Sequence, residues 1–340
     1  MTYDYQSTMT THHRFLKPLL SLALACAASG FLASPVAAQA IWRLVVPYPP
    51  GGGSDRAARI LAEALQTRLG TSVMVENVVG AGGRLALRQL AAQPDKDSQV
   101  LVVVNPALMV VAPLVYRQNG YDPERDFQPV AQISSYEFAV AVAGEVPVRE
   151  STHLMAWMRA NPHRANLGVP ATGSLPHFFA LMMGDAAQVP VQVVGYKGSA
   201  PLATDLIGGH LPAAVDSLES LLPFHEAGKL RILATSGDKR SVGNIPTFKE
   251  SGLNLSAWGW NVVYARSSMP AATVEKLARE IASVMSQEKV RQQFVAVKAD
   301  PVSKDLAATR RMLQDFKAQW VPAVSYCGQQ FSNPISWHRN

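Results

Sequence analysis

Charged residues are scarce in this 340-residue chain. Lys, Arg, Asp and Glu make up 16% of the sequence, the net charge is +6, and no run of Lys and Arg forms a basic block. Because a nucleic-acid-binding surface needs a dense basic stripe, this composition argues against nucleic acid as a partner. The length and the 48% of hydrophobic residues instead indicate a globular protein of roughly two domains, at about 150 residues each.

Cysteine is nearly absent. The two cysteines are Cys26 and Cys327, and the first lies in an N-terminal segment that we expect to be removed. Cys327 then has no partner for an internal disulfide, although an exported protein enters a compartment that permits one. After residue 40 the chain also lacks any run of about 18 apolar residues, so the sequence predicts no membrane-spanning helix in the mature protein.

The first forty residues predict a secretory signal peptide. Arg14 and Lys17 precede an apolar run at 18–33, and small residues at 38 and 40 supply a cleavage site. Cleavage after Ala40 removes both basic residues and Asp4, which changes the net charge from +6 to +5. The mature protein is therefore expected in the periplasm.

Common nucleotide-binding and catalytic motifs are missing as well. No stretch matches the P-loop spacing, and two near matches to G-x-G-x-x-G, which start at Gly51 and Gly80, lack the third glycine. A Ser-His-Asp hydrolase would have to use Ser174, His177 and Asp216, but no G-x-S-x-G elbow surrounds the serine. No histidine pairs with Cys, Asp or Glu at metal-ligand spacing. We therefore expect no enzyme activity, no cofactor and no metal site.

What the sequence does contain is a repeated unit of strand, glycine-rich loop and helix. The stretch "VVPYPPGGGSD" at 45–55 leads from a short strand into a helix that ends at Gly70, and "NVVGAGGR" at 77–84 repeats this arrangement. The stretch "VLVVVN" at 100–105, which is apolar up to its last residue, is typical of a central parallel strand covered on both faces. This alternation predicts parallel α/β sheets with right-handed crossovers.

The same pattern starts again near residue 138, and the chain then ends in helices. Further strands are predicted at 138–143, 191–195 and 231–235, and closing helices at 270–285, 288–296 and 303–320. The closing helices are expected to cover the first sheet, so the chain should pass between two lobes twice, near Val142 and near Val262. The predicted divisions are 1–40 for the signal peptide, 41–142 plus 262–324 for the first lobe, 143–261 for the second lobe and 325–340 for an atypical C-terminal tail.

Four loop-to-helix junctions point to a binding site for an anion. They are "PYPPGGGSD", "GAGGR", "ATGSLPH" and "YKGSAP". Free N–H groups give a helix start partial positive charge, and glycines let a ligand approach the backbone. One such junction is usually only a capped turn, but four across two lobes favour a site for a small molecule with one or more carboxylates.

Single residues in and near these loops admit two interpretations each. Asp55 either orders the loop or favours the first helical turn, and Asp216 either accepts a hydrogen bond from a ligand amine or hydroxyl or caps the next helix. Lys197 either pairs with a carboxylate or lies exposed, and Arg84 either adds positive potential or is solvated. The large aromatic side chains either line a cleft or belong to the core; they are Tyr48, Phe178, Trp258 and Trp260.

Taken in order, the motifs resemble the Bug family, the periplasmic solute-binding proteins of tripartite tricarboxylate transporters. The matching segments cover roughly residues 42–322. They are "VVPYPPGGGSDRAARILAEAL", "VENVVGAGG", "YDPERDFQPVAQI", "LGVPATGSLPHFF", "GYKGSAPLATDLIGGHLPAAVDS" and "GKLRILATSGDKRS" followed by "IPTFKESGL". The combination is far more specific than any single glycine loop.

This resemblance implies a type II periplasmic-binding fold, with two lobes and two crossover segments, that closes on a small carboxylated solute. It also implies a set of ligand-binding residues. They are Tyr48, Pro49, Gly52, Ser54, Asp55, Gly82 and Gly83 in the first lobe, and Thr172, Gly173, Ser174, His177, Tyr196, Lys197, Gly198 and Asp216 in the second. The expected partner is a membrane transporter, and the alternative is a two-component sensor kinase to which the protein presents its ligand. A monomer is expected, and the identity of the solute stays open.

Overall fold

The computed structural model describes Met1 and residues 41–93, 99–116 and 118–332, with only the backbone given at 323 and 325–332. The predicted signal peptide, its cleavage site at Ala40 and residues 333–340 of the predicted tail lie outside this description.

The described chain alternates strands and helices, as the sequence predicts. The strands are β1 Trp42–Val46, β2 Val73–Asn77, β3 Val100–Val104, β4 Phe127–Ala143, β5 Asn166–Val169, β6 Gln192–Gly195, β7 Ala213–Ser217, β8 Leu230–Thr235, β9 Trp258–Arg266 and β10 Asp300–Pro301. The helices are α1 Gly53–Leu69, α2 Arg84–Ala92, α3 Ala112–Val115, α4 Ser151–Ala160, α5 Leu175–Ala186, α6 Ser199–Ile207, α7 Leu218–Glu226, α8 Ala271–Met285, α9 Glu288–Ala296 and α10 Leu306–Ser332.

The first sheet has the strand order β2-β1-β3-β9-β4. β1 pairs in parallel with β2 and β3, whereas β9 runs antiparallel to β3 and β4. Leu44 and Val45 of β1 and Val103 of β3 are buried, as expected for strands covered by helices on both faces. The helix after β1 ends where the sequence predicts, because Gly70 adopts a left-handed conformation (φ 64°) and its N–H bonds back to the Gln66 carbonyl.

The second sheet is built around the other end of β4. β5 pairs in parallel with β6 and β7, and β4 runs antiparallel to β7 and β8. The expectation of a two-lobed α/β protein is confirmed. Both sheets are mixed rather than purely parallel, because β4 and β9 run against their neighbours.

β4 is shared by the two sheets. Its pairing with β9 extends as far as Glu137, and its pairing with β7 begins at Phe138. The chain returns to the first sheet through residues 236–257, which connect β8 to β9. The change of partner thus falls a few residues before Val142, where the sequence places the first crossing. The lobe limits derived from the sequence stay a prediction.

The closing helices α8 and α10 pack against elements of the first sheet. Val274 and Ile281 of α8 join the buried cluster that contains Leu61 of α1. In α10, Phe316 stacks on Trp320 with 5.6 Å between ring centroids and meets Trp260 of β9 edge-on at 5.7 Å. Such pairs add about 0.5–1.5 kcal/mol beyond the burial of apolar area. α10 extends through the described part of the predicted tail to Ser332, and no helix in residues 41–332 outside the gaps is long and apolar enough to cross a membrane.

Candidate functional site

One cavity of about 670 Å³ collects the loops that follow six parallel strands. Three of these loops belong to the first sheet, after β1, β2 and β3, and three to the second, after β5, β6 and β7. Ligands of α/β sheets bind at the carboxyl ends of parallel strands, where helix starts face outwards. The four glycine-containing junctions singled out in the sequence therefore share one cavity.

All but two of the residues predicted to bind a ligand line this cavity. Those lining it are Tyr48, Pro49, Gly52, Ser54, Gly82, Gly83, Thr172, Gly173, Ser174, Tyr196, Lys197, Gly198 and Asp216. Asp55 and His177 do not line it. Each of them holds one of the lining loops in place from behind.

Asp55 shapes the first loop from a buried position. Its carboxylate accepts hydrogen bonds from the Gly51 N–H (2.8 Å), the Asn77 side-chain amide (2.9 Å) and Arg59 Nε (3.0 Å). The same Asn77 amide donates to the Tyr48 carbonyl at 3.0 Å. Burial acts to raise the pKa of Asp55, but these hydrogen bonds outweigh it and hold the pKa below its ordinary value. Of the two interpretations from the sequence, the structure favours the ordering of the loop.

Ser54 lies inside the first turn of α1 and is not its cap. The helix begins at Gly53, and the N-cap is Gly52, which has no side chain to bond the free N–H groups. The Ser54 hydroxyl instead donates to Asn261 Oδ1 at 2.6 Å. The free N–H groups at the start of α1 therefore have no side-chain acceptor at the N-cap position.

His177 supports the loop after β5. Its Nδ1 accepts the Gly173 N–H at 3.2 Å, and its own N–H donates to the hydroxyl of Ser174, which is the N-cap of α5. Burial lowers the pKa of His177 to about 4, so the imidazole is neutral at physiological pH. In a Ser-His-Asp triad the Nδ1–H donates a hydrogen bond to the aspartate, whereas here Nδ1 accepts one from the Gly173 N–H. The arrangement does not form a catalytic triad.

The loop after β3 supplies a site residue that the sequence did not reveal. Asn105 lines the cavity, and its Oδ1 accepts hydrogen bonds from the Tyr48 hydroxyl (2.7 Å) and the Ala107 N–H (3.1 Å). Burial raises the pKa of Tyr48, which therefore stays protonated and can serve as this donor. The only signal in the sequence is the position of Asn105 at the carboxyl end of a buried strand.

Arg84 brings positive charge to the cavity wall. Its guanidinium lies 3.5 Å from the centroid of the Tyr116 ring, and its Nε donates to the Ala81 carbonyl at 3.0 Å. Tyr116 also approaches Gly173 in the second lobe, since a Cβ atom built on Gly173 would lie 3.3 Å from the Tyr116 hydroxyl. Both side chains line the cavity, so they form a wall where the lobes meet.

Asp216 is buried in the second lobe, at 3% exposure, and lines the cavity. Its Oδ1 accepts the Ser217 N–H at 2.7 Å, while its Oδ2 has no hydrogen-bond partner among the residues described. Burial raises the pKa of Asp216 to about 6, although nearby Ser199, the Ser217 N–H and Arg56 all act to lower it. This carboxylate can therefore accept a further hydrogen bond from a ligand.

Glu219 is a second buried acid on the same wall, and sequence reasoning missed it. It is 4% exposed, and burial raises its pKa to about 7. Its carboxylate reaches the first lobe, because a Cβ atom built on Gly53 would overlap Glu219 Oε1. Only a glycine at the first position of α1 leaves room for this contact.

The remaining candidates divide between the cavity and the core. Lys197 lines the cavity, is exposed, and makes no ion pair within the part of the chain that the structure describes. Phe178 and Trp260 are buried core residues, and Trp258 packs against Phe316 and lines a separate, smaller cavity. Across the described ranges, no group of His, Cys, Asp and Glu side chains is arranged to hold a metal ion.

The chain matches the tripartite tricarboxylate transporter family receptor over residues 57–328. It is 29% identical over 315 residues to the UPF0065 protein in the TAR-I ttuE-ttuC' intergenic region of Agrobacterium vitis, which covers 90% of this chain and 88% of that protein. It is 27% identical over 308 residues to BugT of Bordetella pertussis, covering 88% of this chain and 94% of BugT. Rpa4515 of R. palustris, solved with adipate, is similar with a TM-score of 0.80 at 29% identity, covering 84% of this chain and 97% of that one.

Two α/β lobes with a cavity lined by loops of both define the class of periplasmic solute-binding proteins. The chain belongs to the tripartite tricarboxylate transporter receptor family, and its resemblance to Bug proteins is confirmed. Members of this family and their structural neighbours are substrate-binding proteins and not enzymes.

Proposed function

We propose that this protein binds a small carboxylated solute in the periplasm and delivers it to a tripartite tricarboxylate-type membrane transporter. The observation that carries the proposal is the convergence of helix starts from both lobes on one cavity. The residues at the starts of α1, α5 and α6 all line it. Free N–H groups there attract and bind anions, so a carboxylate is the ligand group that this cavity suits best.

Side-chain cations support the same ligand class. Arg84 and Lys197 line the cavity from opposite lobes, and neither forms an ion pair with a carboxylate inside the described ranges. A carboxylate bound between the lobes would interact with both, whereas each lobe alone offers only one of them. Ligand binding is therefore expected to stabilise the form in which the lobes meet. The adipate of Rpa4515 is a ligand of that protein, and it supports a carboxylate here.

A thermal-shift screen tests the proposal. The library would contain straight-chain dicarboxylates from succinate to adipate, malate, citrate, benzoate, nicotinate and common amino acids, with neutral sugars as controls. We expect at least one carboxylate and no sugar to raise the melting temperature, because a ligand that binds only the folded protein stabilises it by mass action. A library in which no carboxylate raises the melting temperature would refute the proposal.

A variant that removes the charge of Arg84 tests whether the ligand binds in this cavity. Arg84→Gln should weaken binding of the best carboxylate at least fivefold by calorimetry. Arg279→Gln, an exposed arginine of α8 that does not line the cavity, is the matched control and should bind like the parent. Equal affinity in both variants would count against the assignment of Arg84 to the site.

The transporter as partner is tested separately. Membrane subunits of a tripartite tricarboxylate transporter should retain the ligand-bound protein in a pull-down more strongly than the ligand-free protein. Retention by the periplasmic domain of a sensor kinase, and not by transporter subunits, would favour the alternative partner. Light scattering of the purified protein checks the prediction of a monomer.

A further inference from the structure

Two buried carboxylates face a cavity that suits an anion. Asp216 and Glu219 are 3% and 4% exposed, and both line the cavity. Burying a charge is costly unless it is paired or hydrogen-bonded. A ligand that brought only further negative charge would also be repelled by both groups. At a pH where both groups are ionised, the lining therefore carries negative charge that a positive group of the protein or the ligand would offset.

The two carboxylates have few partners in the protein. Asp216 Oδ2 has no hydrogen-bond partner among the described residues, and its other oxygen accepts the Ser217 N–H, while the Ser199 hydroxyl lies close enough to lower the pKa of the carboxyl. The Glu219 carboxylate forms no hydrogen bond and no ion pair with any residue of the described ranges. Its Oε1 instead packs against the backbone of Gly53 across the cavity. Both groups keep acceptor capacity that nothing in the described chain uses.

Arg56, whose charge acts on both acids, does not pair with them. Arg56 acts on both groups electrostatically, but its Nη1 donates to the Gly51 carbonyl at 2.7 Å, while its buried Nε and Nη2 have no hydrogen-bond partner in the described ranges. It forms no ion pair with either acid within the residues that the structure describes. A third neighbour, the Tyr136 hydroxyl, also lines the cavity and carries no charge, since burial raises its pKa far above the physiological range.

An ammonium group is the ligand feature that matches this wall. Ionised carboxylates only accept hydrogen bonds, and an ammonium offers three donors and a positive charge. A hydroxyl offers one donor and leaves the buried charges uncompensated. On the basis of the proposed function, we infer that the solute is an amino-substituted carboxylate whose protonated amine is bound by Asp216 and Glu219, while its carboxylate is held by the helix starts. Glu219 is then a residue that determines specificity.

Matched pairs of acids test the inference by calorimetry at pH 8. The pairs differ only in the amine: succinate and aspartate, glutarate and glutamate, adipate and 2-aminoadipate, each amino acid as both enantiomers. We expect the best amino member to bind the parent protein at least tenfold more tightly than its amine-free counterpart. Glu219→Gln and Asp216→Asn should each reduce this ratio to near one. Glu226→Gln, an exposed glutamate later in the same helix, is the control and should keep it.

The outcomes separate this inference from the proposed function. Amine-free acids that bind as tightly as the amino members, or a wider library in which only amine-free carboxylates bind, overturn the inference and leave the carboxylate-binding function intact. Failure of every carboxylate to bind overturns both. A preference for the amine that survives in both acid variants refutes the role of Asp216 and Glu219. Thermal unfolding of each variant without ligand shows whether a loss of binding reflects a loss of folding.

Discussion

The Asp55 carboxylate accepts a hydrogen bond from the N–H of Gly51, which lies four residues earlier at the tip of the first cavity loop, at 2.8 Å. This contact explains why an acid follows three glycines. The glycines allow a ligand to approach the backbone, and the buried acid removes the freedom that they would otherwise give the loop.

Replacing Asp55 should therefore cost stability as well as affinity. Asp55→Ala leaves the Gly51 N–H without its acceptor and removes one of the two acceptors of the Asn77 amide, so we expect a loss of about 1–3 kcal/mol in the free energy of unfolding. Urea denaturation at pH 7 measures it. Asp315→Ala, an exposed aspartate of α10, should stay within about 0.5 kcal/mol of the parent. A parent-like midpoint for Asp55→Ala would contradict the role described.

Substitutions at Gly82 and Gly83 can separate the cost of backbone strain from the cost of steric overlap with neighbouring side chains. Both have positive φ angles, 66° and 93°, but a Cβ atom would find nothing within 4 Å at Gly82 and would meet Leu108 Cδ1 at 2.9 Å at Gly83. Gly82→Ala should cost about 1–2 kcal/mol from backbone strain, and Gly83→Ala roughly 1–3 kcal/mol more from overpacking. Denaturant unfolding of both variants tests this order, and equal losses would show that Leu108 yields without cost.

Glu219 should make stability depend on pH in a defined direction. Its pKa is raised by burial from about 4.5 to about 7, so the folded state holds a proton that the unfolded state has lost between these pH values. The free energy of unfolding therefore falls as pH rises through this window. Glu219→Gln removes the effect, and the variant should gain roughly 1–3 kcal/mol relative to the parent between pH 4.5 and pH 8.

Urea unfolding of parent and variant at several pH values measures that difference. Comparing the two proteins cancels the contributions of other groups, such as Asp126, whose pKa is lowered by its hydrogen bond with Arg125. Glu226→Gln retains Glu219, so this control should keep the pH dependence of the parent. A constant difference between parent and Glu219→Gln across the range would refute the burial of this carboxylate.

His177 should act in the opposite direction. Its pKa is lowered from 6.5 to about 4 by burial, so the unfolded state gains a proton first as pH falls. The neutral imidazole contributes fully to the free energy of unfolding above about pH 6.5. This contribution falls by roughly 1–3 kcal/mol as the pH is lowered towards 4. His177→Asn retains an acceptor for the Gly173 N–H but does not titrate, and it should lack this loss. His210→Asn, at an exposed position, should behave like the parent.

The repeated order of strand, glycine loop and helix was sufficient to predict the parallel parts of both sheets. This repeated pattern could not predict the first half of β4. Residues 127–137 read "FQPVAQISSYE", which has a proline and several polar residues, and its pairing with β9 shifts register twice, near Pro129 and near Ser134. Neither the alternation of an exposed strand nor the apolar run of a buried one is visible there. The strand is determined by its neighbours rather than by local propensity.

The site shows the same division between local and non-local information. Loops with a glycine signature at a helix start were found from the sequence, because their chemistry is contained in a few consecutive residues. Glu219 was not, since its importance comes from Gly53, which lies in the other lobe. Asp55 and His177 were predicted from the sequence to bind the ligand, but the sequence could not tell that they lie behind the lining loops and bond Gly51 and Gly173 there.

A strand that belongs to two sheets ties the folding of the lobes together. Side chains alternate along β4, so a slip of one residue in its pairing with β9 would also exchange the inner and outer faces that β4 presents to β7 and β8. A wrong register of β4 in one sheet would therefore also disrupt its packing in the other sheet. Denaturation is therefore expected to proceed as one concerted transition, in which fluorescence from tryptophans of the first lobe and circular dichroism of the whole chain change together.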